Sequence, residues 1–519
     1  MRKLAGIICL IGLGACTKAH NGSAGGRHAP QLEQAYPALA WVPADATYVV
    51  TGKTSDLALA LREIVTPASM MPIPGLYDIE NQMRMAMGTS FLDARDLSRI
   101  GIAVDGSAAI YSTGVLPTIV LPVEDGIELQ TFLDANRPET NVRLREKDGV
   151  QIVSWEPSPD VALVYARVDK WLLVHIADRT VDSADAWLDA ARKTFAGDGI
   201  AHAPDLVNAA KAARAGLPSK RSGPPSVLGL LRVAKLMDTL GGAVECATAV
   251  RQAVESITLG IDIDLRSGDG LIAIELSPEA ASALRQHTAE GPPPGYWSYR
   301  ADAGLYGDFA MDLDWFDQAL VGHGCWSPSR ELAPVRYALR QWGARGAHVA
   351  VKQLQLDELR VQAAAYASLS DRRPIDRALD QIPGRSFLER NVTIGGRKLK
   401  SIDLGVVPRF VYQLTGTDAI VAVGDSTIES VFAANGESVF AATGQPAPEG
   451  LMLGALGTRP EKMPDLADAL GTIYEQIGYD RSMAKRFVDD ILSRYADAGI
   501  SFSLVGDTIE FRGWMRLAP

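Results

Sequence analysis

The chain has few of the residues that build thiol and metal chemistry. Its 519 residues include 4 Cys and 7 His, and no HExxH, GxSxG, Cys-x-x-Cys or calcium-loop pattern occurs among them. Each of those sites needs its side chains at a fixed spacing. The sequence therefore offers no catalytic residue, no metal ligand and no cofactor-binding motif, and we predict that the protein is not an enzyme.

Long apolar runs are also missing. The run Leu4–Leu13 is roughly half of the ~20 apolar residues that a bilayer-spanning helix requires. No later segment reaches about eighteen uninterrupted apolar residues, which is the usual mark of a spanning helix. The sequence therefore predicts no permanent transmembrane helix.

Positive charge is the third deficit. The chain carries 51 Lys and Arg against 62 Asp and Glu, which gives a formal net charge of −11. The phosphates of nucleic acids require clusters of Lys and Arg, so we expect no nucleic acid among the partners. The same deficit argues against electrostatic adhesion to anionic lipid head groups.

The N-terminus carries the clearest pattern in the chain. Arg2 and Lys3 precede the run Leu4–Leu13, and the small residues Gly14 and Ala15 stand before Cys16. A charged start, a short apolar run and small residues at a cleavage site are the parts of an export signal. Residues 1–15 are therefore predicted to be a signal peptide.

The segment Leu13–Cys16, read Leu-Gly-Ala-Cys, resembles the lipobox of bacterial lipoproteins, and this resemblance covers residues 1–16. It implies that the Cys16 thiol carries a diacylglyceryl group, that the signal is cut before Cys16, and that the new amino terminus is often acylated. Two or more acyl chains hold a protein durably on a membrane. Ordinary cleavage nearby and an uncleaved anchor remain the alternatives.

The predicted localisation is therefore the cell envelope, where the lipid on Cys16 would bind the protein to a membrane. Residue 17 is Thr rather than Asp, which by analogy with enteric lipoproteins favours the outer membrane. Residues 16–40 hold several Gly and Pro and few large apolar side chains. Such a composition predicts a flexible tether behind the lipidated Cys16.

Two cysteines remain once Cys9 leaves with the signal and Cys16 takes lipid. Cys246 and Cys325 then lie outside the reducing cytoplasm, where two thiols can pair. The bond would stabilise the fold by roughly 4 kcal/mol through its long loop. The alternative is two separate buried thiols, because free Cys packs as a small apolar residue.

Strand-like and helix-like patterns alternate along the rest of the chain. Hairpins outnumber crossovers, and one is predicted from Ile100–Val104 to Ala108–Tyr111 around the turn Asp105-Gly106. The predicted fold class is α+β, with repeated modules of mainly antiparallel sheet and helices on one face. The predicted segments are a first module (41–197), a boundary with a hairpin–helix unit (198–291), a second module (292–445) and a strand–helix–helix–hairpin half module (446–519).

The two modules are predicted to be copies of one unit. Residues 149–183 and 396–430 align without a gap at a constant offset of 247 (396 − 149) with eight identities. The copies, 149–195 and 396–435, are expected to read strand–strand–strand–helix. Thr180 and Thr427 match, and each is predicted to be a structural helix N-cap, because a Thr hydroxyl can accept a bond from an unpaired amide.

Two weak motifs invite functional hypotheses. The segment Thr51–Thr54, read Thr-Gly-Lys-Thr, is similar to the end of a phosphate-binding loop but lacks the earlier Gly. Asp262 and Asp264 alternate along a predicted strand and could form an acid–base or metal pair. A solvated strand face explains the two carboxylates as well, and we prefer that explanation.

The mature part resembles uncharacterised bacterial envelope proteins with repeated domains of unknown function. That resemblance rests on short motifs such as Pro43–Ala46 and on the recurring hairpin–strand–helix unit. We expect a protein that binds or scaffolds, with a possible protein partner in the envelope. An envelope hydrolase and a carrier of an apolar ligand are the alternatives. An acidic exterior with an apolar patch would favour the binder.

Overall fold

The computed structural model describes the following residues: 32–60, 62, 89–90, 93–137, 140–156, 161–178, 184–197, 199–217, 223–240, 247–264, 267–288, 291–292, 294–312, 344–355, 360–403, 405, 408–432, 451–463, 466–476, 480–482 and 495–518. The chain divides into two compact units. Unit one reaches Ile263 and includes Asp269–Leu276, and unit two consists of Asp264–Gly268 and the chain from Ser277 onwards. The predicted boundaries at 197/198 and 445/446 thus fall inside these units.

The sheet of unit one is built from ten described strands. They are β1 Tyr48–Lys53, β2 Ser107–Ser112, β3 Thr118–Pro122, β4 Val142–Lys147, β5 Val150–Trp155, β6 Val161–Val168, β7 Trp171–Asp178, β8 Val227–Arg232, β9 Val254–Asp264 and β10 Ser267–Leu276. Their order is β4-β5-β6-β7-β3-β2-β1-β8-β9-β10, and each pair from β4 to β9 is antiparallel.

Helices cover both faces of this sheet. The described helices of unit one are α1 Leu32–Ala35, α2 54–60, α3 Ala94–Arg99, α4 Gly126–Ala135, α5 Ala184–Phe195, α6 Pro204–Gly216, α7 Val233–Leu240 and α8 Ala247–Ala253. Val49 packs in a core with Ala209 of α6, whereas its neighbour Val50 packs against Leu57 of α2. Successive strand residues point to opposite faces, so the prediction of helices on one face is wrong for unit one.

The segment predicted to be a tether is ordered from Leu32 onwards. The 3₁₀ helix Pro37–Trp41 follows α1, and Leu32, Leu39 and Trp41 are all buried in the first core cluster. Trp41 also stacks on Phe195 with ring centroids 4.3 Å apart. The tether prediction is therefore wrong for residues 32–40, because this part contains no Gly and its large apolar side chains Leu32, Tyr36 and Leu39 are buried in a core.

The sheet of unit two also has ten described strands. They are β11 Leu305–Phe309, β12 Ala344–Gln355, β13 Arg360–Leu369, β14 Glu389–Ile394, β15 Arg397–Ile402, β16 Phe410–Leu414, β17 Asp418–Val423, β18 Leu451–Thr458, β19 Tyr495–Val505 and β20 Thr508–Leu517. Their order is β14-β15-β16-β17-β13-β12-β11-β18-β19-β20, with every pair antiparallel.

The core of unit two is rich in aromatic side chains. Its described helices are α9 Pro278–Gln286, α10 Pro294–Ala301, α11 Arg373–Asp380, α12 Arg385–Leu388, α13 Asp425–Phe432 and α14 Leu466–Gln476. Tyr296 and Tyr299 of α10 and Phe432 of α13 are fully buried together against β12, β13 and β17. Helix α10 thereby fixes the core side of the sheet that carries the candidate site.

Local patterns predicted many elements correctly. Both chain segments of the proposed repeat contain the expected three strands and a helix, β5-β6-β7-α5 and β15-β16-β17-α13. Helix α4 begins after Asp125 for a local reason, since the Asp125 carboxylate accepts bonds from the amides of Ile127 and Glu128 at 2.8 and 3.1 Å. The structure thus confirms a mixed α and β fold in which antiparallel sheet dominates.

The hairpin predicted around Asp105-Gly106 is wrong. The chain does turn there, because the Gly106 amide bonds to the Ala103 carbonyl. The segment before the turn, however, pairs with the end of β3 instead of β2, through the bridge Ile102–Val123. None of the helices in the described part of the chain is long and apolar enough to span a membrane.

Candidate functional site

An exposed apolar row crosses the sheet of unit two. Gly307 of β11 pairs with Val349 of β12 on one side and with Leu456 of β18 on the other, and Leu456 pairs in turn with Ile500 of β19. We call these four residues the apolar row. Three of the four are large apolar residues, and they are 45% (Val349), 58% (Leu456) and 41% (Ile500) exposed. Neighbouring apolar side chains on one face of a sheet form a contiguous apolar patch, and monomeric proteins rarely expose large patches of this kind.

Strand geometry explains why these side chains face outwards. In β12, His348 and Ala350 flank Val349 and are fully buried, while in β18 the preceding Ala455 is buried. Side chains alternate between the two faces of a strand. Every second residue of β12 and β18 therefore points into the core, and the residues of the row point to the opposite face of the sheet. The aromatic pair Phe502 and Phe511, with centroids 5.5 Å apart, stacks farther along β19 and β20.

Two strands of the row, β11 and β12, carry a buried polar network on their opposite, core-facing side, together with α10. We give this name to Tyr296, Arg300, Asp308 and His348. Arg300 Nε donates to Asp308 Oδ2 at 2.5 Å, and His348 Nδ1 lies 3.0 Å from Asp308 Oδ1. Tyr296 donates its hydroxyl to Asp308 Oδ1 at 3.4 Å. Since a carboxylate only accepts, this arrangement assigns the hydrogen of His348 to Nδ1.

Aromatic rings seal the buried polar network. The Arg300 guanidinium lies 3.8 Å from the ring centre of Tyr306 and 5.4 Å from that of Trp297, which is cation–π geometry. Burial, reinforced by the charge of Asp308, raises the pKa of Tyr296 well above its ordinary value. Burial likewise raises the pKa of Tyr306 to about 12. Both phenols therefore stay neutral at physiological pH.

The network is closed to substrates in this conformation. The side chains of Asp308 and His348 are fully buried, and His348 Nε2 has no hydrogen-bond partner among the described residues. A general base must lie within hydrogen-bond reach of a substrate proton. The network instead ties α10 to β11 and β12, and its role here is to hold the core behind the apolar row.

Asp262 has a structural explanation in unit one. Its carboxylate accepts bonds from Arg214 of α6 at 2.6 Å and from the Ser226 amide at 3.1 Å, and the residue is buried. The expectation of a solvated face is therefore wrong for Asp262, although Asp264 is exposed. The segment Thr51–Lys53 lies in β1, between β2 and β8, and forms no phosphate loop. No group of three or more potential metal ligands occurs among the residues described.

Thr427 is not the N-cap that the repeat predicted. It is the third residue of α13, it is fully buried, and its hydroxyl donates to the Tyr299 hydroxyl at 3.2 Å. The helix begins two residues earlier because Gly424 takes a left-handed φ of +86° and its carbonyl accepts the Ile428 amide. A Cβ at Gly424 would meet the Val361 carbonyl at 2.9 Å, so this turn requires glycine.

The other predicted site residues lie outside the described residues. They are Cys16, Thr180, Cys246 and Cys325. Sequence reasoning missed both the apolar row and the buried polar network. The local signal for the row was weak, since β12 and β18 carry apolar residues on both faces. Nothing local marks Arg300, Asp308 and His348 as partners, because 40 residues separate Asp308 from His348.

Comparisons with known proteins give no family. No protein-family model matches the chain, and no curated protein matches it. Among solved structures the chain is similar to TP0453 in three crystal forms. Form IV gives a TM-score of 0.27 at 9% identity, covering 50% of this chain and 90% of that one. Form III gives 0.26 at 9% (49% and 89%), and form I gives 0.24 at 6% (46% and 79%). Similarity at these TM-scores carries no argument about fold or function.

Proposed function

We propose that this chain is a lipid-anchored protein of the bacterial cell envelope that works by binding a partner through the apolar row. The anchor rests on the lipobox-like segment that ends at Cys16, and the outer membrane is the favoured address because Thr17 follows. The first described residue of the core is Leu32. The fifteen residues from Thr17 to Gln31 reach at most about 50 Å when extended, so the tether would keep Leu32 of unit one within about that distance of the membrane surface.

The observation that carries the proposal is the exposure of Val349, Leu456 and Ile500 in one register. Contact between these apolar side chains and water costs free energy. A complementary apolar partner removes that cost by covering the side chains. The formal charge of −11 leaves the chain acidic overall. An apolar patch on an acidic protein suits a specific binder better than a nucleic-acid or lipid-head-group protein.

We further propose that the two units are copies of one module. The order β4-β5-β6-β7-β3-β2-β1-β8-β9-β10 corresponds strand for strand to β14-β15-β16-β17-β13-β12-β11-β18-β19-β20. Ala44-Asp45-Ala46 precedes β1, and Ala301-Asp302-Ala303 precedes β11 at an offset of 257. A duplication explains both features. On this proposal the copy boundary lies near residue 277, and the chain from 446 completes the second copy.

Crosslinking in intact envelopes tests the function. A photoreactive side chain at Ile500, in the full lipidated chain, should give one adduct of defined mass, and Leu456→Asp should remove it. Phe387→Asp is the matched control, because Phe387 is 88% exposed in unit two but stands on α12, outside the row. An adduct that survives Leu456→Asp would contradict binding at the row.

The nature of the adduct separates the alternatives. A protease-sensitive adduct supports a protein partner, and one extracted into organic solvent supports a carrier of an apolar ligand. An envelope hydrolase requires a substrate that is consumed, so turnover of envelope material by the purified chain would replace the binding proposal.

A further inference from the structure

We infer that unit two holds a binding site for a small, hydroxyl-bearing monocarboxylate, of the chemical class of a sugar acid, in a polar cavity where β12 ends and β13 begins. The site uses none of the four residues of the apolar row. The inference therefore goes beyond the proposed function and is tested independently of it.

The cavity measures about 280 Å³, and its lining residues belong to unit two. Its polar lining consists of two ammonium groups and three carboxamides, which are those of Lys352, Lys462, Gln353, Gln355 and Gln362. Pockets for drug-sized ligands usually measure about 300–1,000 Å³. This cavity therefore suits a smaller occupant, comparable in size to a single sugar ring.

The ion pair of Lys462 with Asp302 has a counterpart in unit one. Lys462 Nζ lies 3.3 Å from Asp302 Oδ1, and Lys235 Nζ lies 3.1 Å from Asp45 Oδ2. Asp45 and Asp302 are the middle residues of the Ala-Asp-Ala segments before β1 and β11. The lysines follow β8 and β18, which pair with β1 and β11. Both units hold this segment with the same kind of ion pair, so a structural role accounts for Lys462.

Lys352 stands on a part of β12 that β2 of unit one does not have. β2 ends at Ser112, which pairs with Tyr48, the first residue of β1. Val351 holds the same position in unit two, since it pairs with Leu305, the first residue of β11. β12 continues for four residues beyond Val351 (355 − 351) and brings Lys352 and two of the three glutamines to the cavity. The ion pair shared by the two units does not explain these residues.

Two cations share one carboxylate beside the cavity. Lys352 Nζ lies 3.5 Å from Asp302 Oδ2, while Lys462 contacts Oδ1. Burial opposes the ionisation of Asp302, but the hydrogen bonds and charges of the two lysines lower its pKa, so the carboxylate is ionised at neutral pH. These three side chains together carry two positive charges and one negative charge, and one positive charge is in excess.

The three carboxamides form a hydrogen-bonded series. Gln362 Nε2 donates to Gln353 Oε1 at 3.2 Å, and Gln353 Nε2 donates to Gln355 Oε1 at 3.0 Å. Ser426 Oγ donates to Gln362 Oε1 at 3.2 Å. A carboxamide nitrogen carries two hydrogens, and Gln353 and Gln362 each use one of theirs within the series. The second hydrogen of each has no partner among the described residues, and it can bind an oxygen of a ligand.

The lining decides the class of ligand. One surplus positive charge matches one carboxylate, whereas a phosphate ester brings about 1.5 to 2 negative charges at neutral pH. A purely apolar molecule would desolvate the amide and ammonium hydrogens without replacing their hydrogen bonds. Leu354 and the buried Met463 also line the cavity, and they suit the C–H face of a sugar ring. The lining therefore fits a monocarboxylate with several hydroxyl groups.

Glucuronate is the probe for this site, with glucose and glucose 6-phosphate as controls. Ligand-detected NMR titration of the full chain should give saturable binding of glucuronate with a Kd of about 1 mM, as the ordinary ligand efficiency of a molecule of this size gives. Glucose lacks the carboxylate, and the phosphate ester has an unmatched charge. Both should bind about tenfold more weakly or less.

Variants locate the binding. Lys352→Gln keeps a long polar side chain but removes the surplus charge, and it should weaken glucuronate binding by about tenfold or more. Gln353→Leu keeps every charge and should weaken binding by about threefold or more, so it tests the site even if Lys352→Gln fails to fold. Lys235→Gln is the matched control, because it breaks the equivalent ion pair in unit one, and it should leave the affinity unchanged.

Four results would overturn the inference. They are the absence of saturable glucuronate binding by the wild type, equal affinity for glucose or for glucose 6-phosphate, unchanged affinity in folded Lys352→Gln or Gln353→Leu, and an equal loss of affinity in Lys235→Gln. Circular dichroism of each variant establishes that it is folded.

Discussion

Asp308 and His348 stand opposite each other in β11 and β12, and their side chains meet at 3.0 Å inside the core of unit two. The corresponding pair in unit one is Thr51 and Ala109. A sheet with the same strand order thus forms without a charged pair at this position.

We expect Asp308→Asn to destabilise unit two by about 3–5 kcal/mol, because it leaves the Arg300 charge buried without compensation. Urea titration of the folded chain measures this through the midpoint of the transition of unit two. Asp507→Asn is the control, since the Arg285–Asp507 pair is partly exposed and such pairs contribute about 0–1 kcal/mol. If Asp308→Asn and Asp507→Asn lowered the free energy of unfolding equally, the buried polar network would not stabilise unit two more than an exposed ion pair does.

The hydroxyls of Thr427 and Tyr299 give a second prediction. Thr427→Val keeps the side-chain shape, removes the hydrogen bond to Tyr299, and should cost about 1 kcal/mol. Tyr299→Phe should cost a similar amount, and the double variant should cost less than the sum. A double-mutant cycle by chemical denaturation measures this coupling. Strict additivity would show that the two hydroxyls do not interact.

Glu389 predicts how unit two responds to acid. Burial opposes its ionisation, but hydrogen bonds from Lys400, Tyr412 and Arg385 overcome this and lower its pKa from 4.5 to about 2. A depressed carboxyl pKa gives stability that is complete above pH 4.5 and is lost as pH falls through about 2. Over that window, wild type should lose more stability than Glu389→Gln when thermal unfolding is followed against pH. Parallel curves would rule out this contribution.

Lipidation of Cys16 has a direct assay. Metabolic labelling with a fatty acid should mark the wild type and not Cys16→Ala, and the variant should leave the membrane fraction or accumulate as a precursor. Cys9→Ala serves as the control, because Cys9 would leave with the signal peptide. Equal labelling of Cys16→Ala and wild type would refute the lipid anchor.

The disulfide between Cys246 and Cys325 remains a prediction, since both residues lie outside the described residues. Peptide mapping of envelope-extracted protein without reductant should recover one linked peptide pair. If the bond forms, Cys246→Ala should lower stability by roughly 4 kcal/mol on the chain-entropy model. Recovery of two free, alkylated thiols would support the alternative of separate buried cysteines.

Elements with a local cause were predictable. Asp125 precedes its helix with a carboxylate that accepts amide hydrogens, and Gly506-Asp507, a pair of residues typical of turns, joins β19 to β20. Thr427 shows where this reasoning ends. It has the right residue type for an N-cap, but Gly424 turns the chain earlier and places Thr427 inside α13. The Val361 carbonyl, which leaves no room for a Cβ at Gly424, lies far away in sequence and is not part of the local pattern.

The sequence by itself determined the mixed, mainly antiparallel fold, because alternation, turn residues and helix caps act over a few residues. Only the tertiary structure decided which apolar strand residues are buried. Val50 and Leu456 both stand in apolar strands, yet Leu57 packs against Val50, whereas Leu456 is 58% exposed. Periodicity gives the face of a strand to which a side chain points. What packs on that face depends on residues far away in the chain, and burial follows from that packing.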